Sequence, residues 1–202
     1  MSLAGQILIA GVGNELLSDD GIGVHAVRKL QEQPIPGVVM ADIGTAILHG
    51  LHFLESAERV LVIDAAKGGQ PPGTIYLFEA TENNQAKSMT SIHSMGLREA
   101  ARFLMAGRPA PSITVLGVEP ETLDYGMDLS GPLKAALPRV LALARETVAG
   151  WLGKSERGCP QPQRHRPRNS AQVFGDPPAC GPAAAGDSRA PVAVPRNGLS
   201  GR

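Results

Sequence analysis

Residues 7–23 read Ile-Leu-Ile-Ala-Gly-Val-Gly-Asn-Glu-Leu-Leu-Ser-Asp-Asp-Gly-Ile-Gly, and this stretch decides the fold. The nearly continuous apolar run over about 6–12 is typical of a parallel strand that is buried on both faces. A glycine turn and two adjacent carboxylates, Asp19 and Asp20, follow it. The apolar spacing then predicts a helix from about Gly21 to Gln33. A strand, a turn and a helix in this order are the first unit of an α/β fold.

The alternation of strand and helix patterns continues to about residue 152. Further strands are predicted over 37–43, 59–64, 74–78 and 112–118. One helix is predicted to end near Ser56 and another to run from His93 to about Met105. A last helix is predicted to start after Ser130 and to end near Leu152, with a kink or restart at Pro138. Too few residues separate strands three and four for a parallel crossover, so strand four should form a hairpin or lie antiparallel at an edge. The sequence thus predicts a three-layer α/β/α domain over 1–152, with a mostly parallel twisted sheet of about five strands.

The composition changes at residue 153. Residues 153–202 contain eight Lys or Arg and three Asp or Glu, whereas residues 1–152 contain 11 and 16, so the two parts carry +5 and −5. The tail is rich in Pro, Gly and Arg and lacks the apolar residues that would compensate the entropy of ordering, so we expect it to be disordered. It has no aromatic interleaving and no folded platform, which argues against binding nucleic acid.

Cysteine usage and apolar run length restrict the class of protein further. Both cysteines, Cys159 and Cys180, lie in the tail, so residues 1–152 have neither a disulfide nor a thiolate nucleophile. The N-terminus lacks the pattern of a signal peptide, and no apolar stretch approaches the roughly 20 residues of a membrane span. We expect a soluble, cytoplasmic monomer that binds neither membranes nor nucleic acid.

Three side chains are predicted to converge at one edge of the sheet. Asp20 follows the glycine turn, Asp64 ends the apolar run 60–64, and His93 opens a predicted helix. Groups at the carboxyl ends of parallel strands face one crevice, and two carboxylates with an imidazole suit a borderline divalent metal. The ordinary alternatives are that an Asp before a helix caps it, worth about 1 kcal/mol, and that a lone histidine is structural. Asp42 and Glu119, at the ends of strands two and five, are further candidates for the same crevice.

The turn Gly11-Val-Gly-Asn14 is also compatible with the start of a dinucleotide-binding fingerprint. The third glycine is missing, because Leu16 stands in its place, and Asp19 and Asp20 would repel a phosphate. A nucleotide-processing enzyme therefore stays a weaker alternative. The sequence contains neither Gly-x-Ser-x-Gly nor His-Glu-x-x-His, the signatures of common serine and zinc hydrolases.

Several short motifs stand in an order and spacing that define a family. They are Gly11-Val-Gly-Asn14 with Leu17, Asp19, Asp20 and Gly21-Ile-Gly23, then Asp42-Ile-Gly-Thr45, Val62-Ile-Asp-Ala65, Pro72-Gly-Thr74, Ile92-His-Ser-Met-Gly-Leu97, Leu116-Gly-Val-Glu-Pro120, and Gly126, Leu129 and Ser130. Together they resemble the nickel–iron hydrogenase maturation endopeptidases, which trim the C-terminal extension of the hydrogenase large subunit. The resemblance covers about residues 6–152 and leaves the tail without a counterpart.

The resemblance implies both a reaction and a site. The family has an acidic residue, Glu or Asp, at the position of Asp20, and its other metal-contacting positions fall on Asp64 and His93. These three residues would engage nickel already inserted in the large-subunit precursor, so the precursor is the expected partner and no permanent cofactor is expected.

Two mechanisms and a second function stay open from the sequence. The metal could activate water and polarise the scissile carbonyl, or it could only position the precursor while Asp19 or Asp42 acts as base. A nickel or hydrogenase assembly chaperone that does not cleave is the alternative function.

Overall fold

The computed structural model describes residues 6–45, 50–80, 110–155 and 172–174. The strands are β1 (Gln6–Val12), β2 (Val38–Gly44), β3 (Ala57–Ala65), β4 (Ile75–Glu79), β5 (Ser112–Val118) and β6 (Gln172–Phe174). The helices are α1 (Ile22–Gln31), α2 (Leu51–Ser56) and α3 (Gly131–Ser155), and a 3₁₀ helix, Ser18–Gly21, precedes α1.

The strands form one sheet in the order β2-β1-β3-β5-β4-β6. β1 runs parallel to β2 and β3, and β3 runs parallel to β5, whereas β4 is antiparallel to β5. This confirms the predicted α/β class with a mostly parallel sheet and an antiparallel strand near one edge. The strand β6, which the sequence did not predict, pairs antiparallel with β4 on its outer side.

Two features lie beyond the predicted domain boundary at residue 152. α3 continues to Ser155 and passes through Pro138 as one helix, so it does not restart there. Gln172–Phe174, within the segment expected to be disordered, supplies backbone hydrogen bonds to β4, which would otherwise present an unpaired edge. The disorder predicted for the remainder of the tail and the helix predicted from His93 to about Met105 fall outside the described residues.

The sheet is buried on both faces, as its apolar strands require. On one face, alternate residues of β1 and β3 pack with α1 and α3 in a cluster that includes Ile7, Ile9, Ile22, Leu30, Leu61, Ile63, Leu133 and Val140. On the other face, the intervening residues pack with Leu54 of α2 in a cluster that includes Leu8, Val12, Ile43, Val60, Val62 and Val115. The sheet and the helices packed on its two faces are the three predicted layers.

A very close approach of α1 to the sheet depends on glycine. A Cβ on Gly23 would lie 2.1 Å from the carbonyl oxygen of Ile63 and 2.4 Å from that of Val12. A Cβ on Gly11 would lie 2.3 Å from the carbonyl oxygen of Gly23. The first turn of α1 therefore rests directly on the backbone of β1 and β3, and this contact places the residues just before α1 at the carboxyl edge of the sheet.

We expect Gly23→Ala to destabilise the protein by about 3 kcal/mol, because the added methyl group forces the helix away from two backbone carbonyls. The matched control is Gly150→Ala in α3, where the new Cβ would meet nothing within 4 Å. Removal of a helix-interior glycine should stabilise by about 0.5–1 kcal/mol. Urea unfolding gives both free energies, and equal changes in the two variants would contradict the close contact.

Candidate functional site

Asp20 is held in place by the glycine turn. It lies in the 3₁₀ helix and is buried, and its Oδ2 accepts a hydrogen bond from the backbone N–H of Asn14 at 2.8 Å. Gly13 has a φ of 124°, and a Cβ there would lie 1.8 Å from the backbone carbonyl oxygen of Asp20. The glycine is thus required so that the turn and the 3₁₀ helix can pack together.

This packing argues against the alternative that the glycine turn binds a nucleotide. In a dinucleotide site the glycine turn faces a pyrophosphate at the helix N-terminus. Here the 3₁₀ helix occupies the space against Gly13 and brings two buried carboxylates with it. The capping explanation is not supported for α1 either, because its N-cap residue is Gly21, which has no side chain to cap the helix.

Asp64 lies at the same edge of the sheet. It is the penultimate residue of β3 and has no exposed surface. β3 contacts the 3₁₀ helix, and its residue Ile63 supports Gly23 at the start of α1. A fully buried carboxylate is stable only where donors or a cation compensate its charge. The structure therefore brings the elements that carry Asp20 and Asp64 together.

The third predicted ligand, His93, falls outside the described residues. Within the ranges that the structure describes, no group of three or more His, Cys, Asp or Glu could hold a metal ion. Two aspartates alone would leave a divalent ion short of protein ligands, so a site built on Asp20 and Asp64 needs a further donor. The three-residue site stays a prediction.

Asp19, a candidate base, is used to hold a distant loop. It has no exposed surface. Its Oδ2 accepts hydrogen bonds from the backbone N–H groups of Glu121 at 2.8 Å and Thr122 at 3.0 Å, and its Oδ1 accepts one from Ser130 at 2.7 Å. Both oxygens are occupied by backbone donors, which favours a structural anchor over a general base.

Asp42, the other candidate base, belongs to an exposed ion-pair network. Its Oδ2 lies 2.9 Å from Nη2 of Arg28, whose guanidinium also binds both carboxylate oxygens of Glu15. The Glu15 hydrogen bond, followed by the one to Asp42, raises the pKa of Arg28, although partial burial acts the other way. Asp42 is therefore exposed and paired with Arg28, whereas Asp20 and Asp64 are buried.

Glu119 fixes the loop that follows β3. It is buried, and its carboxylate accepts hydrogen bonds from the successive backbone N–H groups of Gly68, Gly69 and Gln70 and from the hydroxyl of Tyr76. Burial first, and Glu119 second, raise the pKa of Tyr76 above its ordinary value. The carboxylate suggested for the crevice thus orders the backbone just beyond Asp64, a role that its sequence position alone does not indicate.

The fold and site define an α/β protein with two buried aspartates where its first strand-turn-helix unit meets the end of β3. The chain belongs to the hydrogenase maturation protease family, whose model matches residues 24–147. It is therefore a protease of the hydrogenase maturation type, and the resemblance inferred from the motifs is confirmed.

Individual relatives agree in sequence and in structure. The hydrogenase expression/formation protein HoxM of Cupriavidus necator is 31% identical over 154 residues, with 73% of this chain and 76% of that protein covered. The maturation protease HybD of Thermococcus kodakarensis superimposes with a TM-score of 0.62 at 30% identity and covers 70% of this chain and 98% of its own. The maturating endopeptidase HybD of E. coli gives 0.61 at 30% identity, with 74% and 93% covered.

No helix in the described part of the chain is long and apolar enough to cross a membrane.

Proposed function

We propose that this protease removes the C-terminal extension of a nickel–iron hydrogenase large-subunit precursor after nickel has been inserted. The observation that carries the proposal is the burial of Asp20 and Asp64, in a member of this family, where the first strand-turn-helix unit meets the end of β3. Nickel belongs to the substrate in this proposal, and the protease needs no permanent metal of its own. The reaction takes place in the cytoplasm on a monomeric protease.

In the proposed mechanism Asp20, Asp64 and His93 contact the nickel of the precursor. Peptide hydrolysis requires an activated water and stabilisation of the developing oxyanion. A metal can supply both, because it lowers the pKa of a bound water and polarises the carbonyl. If the metal only positions the precursor, a carboxylate must act as base. Since both oxygens of Asp19 already accept backbone hydrogen bonds, Asp42 is the better of the two suggested bases.

The test is incubation of the protease with nickel-loaded and nickel-free large-subunit precursor, followed by intact-mass measurement. Loss of a C-terminal peptide from the loaded form alone is the expected result. Cleavage of both forms would refute the nickel requirement but would still support the protease activity. An authentic, loaded precursor that stays intact while binding the protein would favour the assembly chaperone.

A further inference from the structure

Four large apolar side chains are exposed on two loops beside Asp20. Among the residues that the structure describes, the exposed large hydrophobics are Leu16 at 57%, Leu123 at 36%, Tyr125 at 92% and Met127 at 71%. We call these four residues the docking patch. Leu16 stands four positions before Asp20, and the other three lie on the loop 119–130 between β5 and α3. Contiguous exposed apolar patches are a feature of protein interaction sites.

The two loops form one ordered surface. The backbone N–H of Ser18 donates to the carbonyl of Gly126 at 2.7 Å, and the N–H of Gly126 donates to the carbonyl of Leu16 at 3.0 Å. The hydroxyl of Ser18 donates to the carbonyl of Asp124 at 3.0 Å, and Asp19 holds both ends of the longer loop. The backbone that carries the docking patch is therefore ordered before a partner arrives, which lowers the entropic cost of binding.

The charged side chains on the two loops are all acidic, although Arg28 of α1 pairs with Glu15. Residues 13–27 and 110–130, which carry the two loops, contain no Lys or Arg. Glu121, Asp124 and Asp128 are exposed between the apolar side chains. A complementary partner would present an apolar contact surrounded by Lys and Arg.

We propose that the docking patch binds the folded body of the large-subunit precursor through an apolar contact with a basic rim. This inference rests on the proposed function, because a precursor held beside Asp20 would present its extension to the buried aspartates. A symmetric contact between two copies of this chain would place the acidic rims of Glu121, Asp124 and Asp128 against each other. An anionic lipid surface would repel the same carboxylates.

The test is the double variant Tyr125→Ala/Met127→Ala. Its control is Lys29→Ala/Glu32→Ala at the C-terminal end of α1, whereas Asp20 lies just before the N-terminal end of this helix. Both pairs are exposed, so neither should change the thermal midpoint. Truncation of contacts made equally in the ground and transition states raises KM and leaves kcat unchanged. We expect about a tenfold higher KM for nickel-loaded precursor in the patch variant and no change in the control. An unchanged KM in the patch variant would overturn the inference.

A binding measurement separates failure of this inference from failure of the proposed function. If wild-type protease cleaves no precursor, the proposed reaction fails, but affinity for the nickel-free precursor can still be measured with both double variants. Weaker binding by the patch variant alone supports the docking patch in either case. Unchanged binding, or a wild-type dimer that dissociates in the patch variant while precursor affinity is kept, refutes it.

Discussion

Asp20→Asn is expected to abolish processing of nickel-loaded precursor and to leave the fold intact. The amide has nearly the same size, and its oxygen can still accept the hydrogen bond that Asp20 takes from the backbone N–H of Asn14. It carries no negative charge, so it is a poor ligand for a divalent metal. We expect the rate of release of the C-terminal peptide to fall by at least about 100-fold, the scale on which single groups that stabilise developing charge act. Intact masses measured over time give this rate.

The matched control is Asp20→Glu, because the family resemblance places either acidic residue at this position. It keeps the charge and should retain part of the activity, although the extra methylene must fit at a buried site. Circular dichroism and the thermal midpoint report whether each variant is folded. A folded Asp20→Asn protein that cleaves at the wild-type rate would remove Asp20 from the site.

The sequence was sufficient to predict the strands that form the centre of the sheet. β1, β3 and β5 are nearly continuous apolar runs, and this pattern has few interpretations other than a strand buried on both faces. β6 could not be predicted in the same way. Its three residues are ordered by hydrogen bonds to the outer edge of β4, and strand formation of this kind depends on the pairing partner more than on composition.

The positions of Asp20 and Asp64 were also predictable, because both follow from where a strand or a turn ends. The role of Asp19 was not predictable from the sequence. Its three donors lie 102, 103 and 111 residues away in sequence, and no local pattern shows such a contact. The same holds for Glu119 and the N–H of Gly68, 51 residues apart. The sequence pattern therefore located the carboxylates but did not show which of them anchor distant loops.

Asp19→Ala should destabilise the protein by about 4 kcal/mol. Three backbone N–H groups, of Glu121, Thr122 and Ser130, lose a charged acceptor at 2.7–3.0 Å. Hydrogen bonds to charged groups contribute about 1.5–3 kcal/mol each, and buried donors left without an acceptor are costly. Urea unfolding measures the total loss. Amide hydrogen exchange at the three donors should accelerate and would locate it.

Asp124→Ala is the control for this prediction because it lies on the same loop. Its carboxylate is exposed and accepts hydrogen bonds only from the hydroxyl of Thr122 among the described residues, so less than about 1 kcal/mol should be lost. Asp19→Ala should also raise the KM for precursor, since the loop that it releases carries Tyr125 and Met127. If Asp19→Ala instead kept wild-type stability and amide protection but lost kcat, Asp19 would be the general base. The loss of stability thus decides whether this buried carboxylate serves the loop or the reaction.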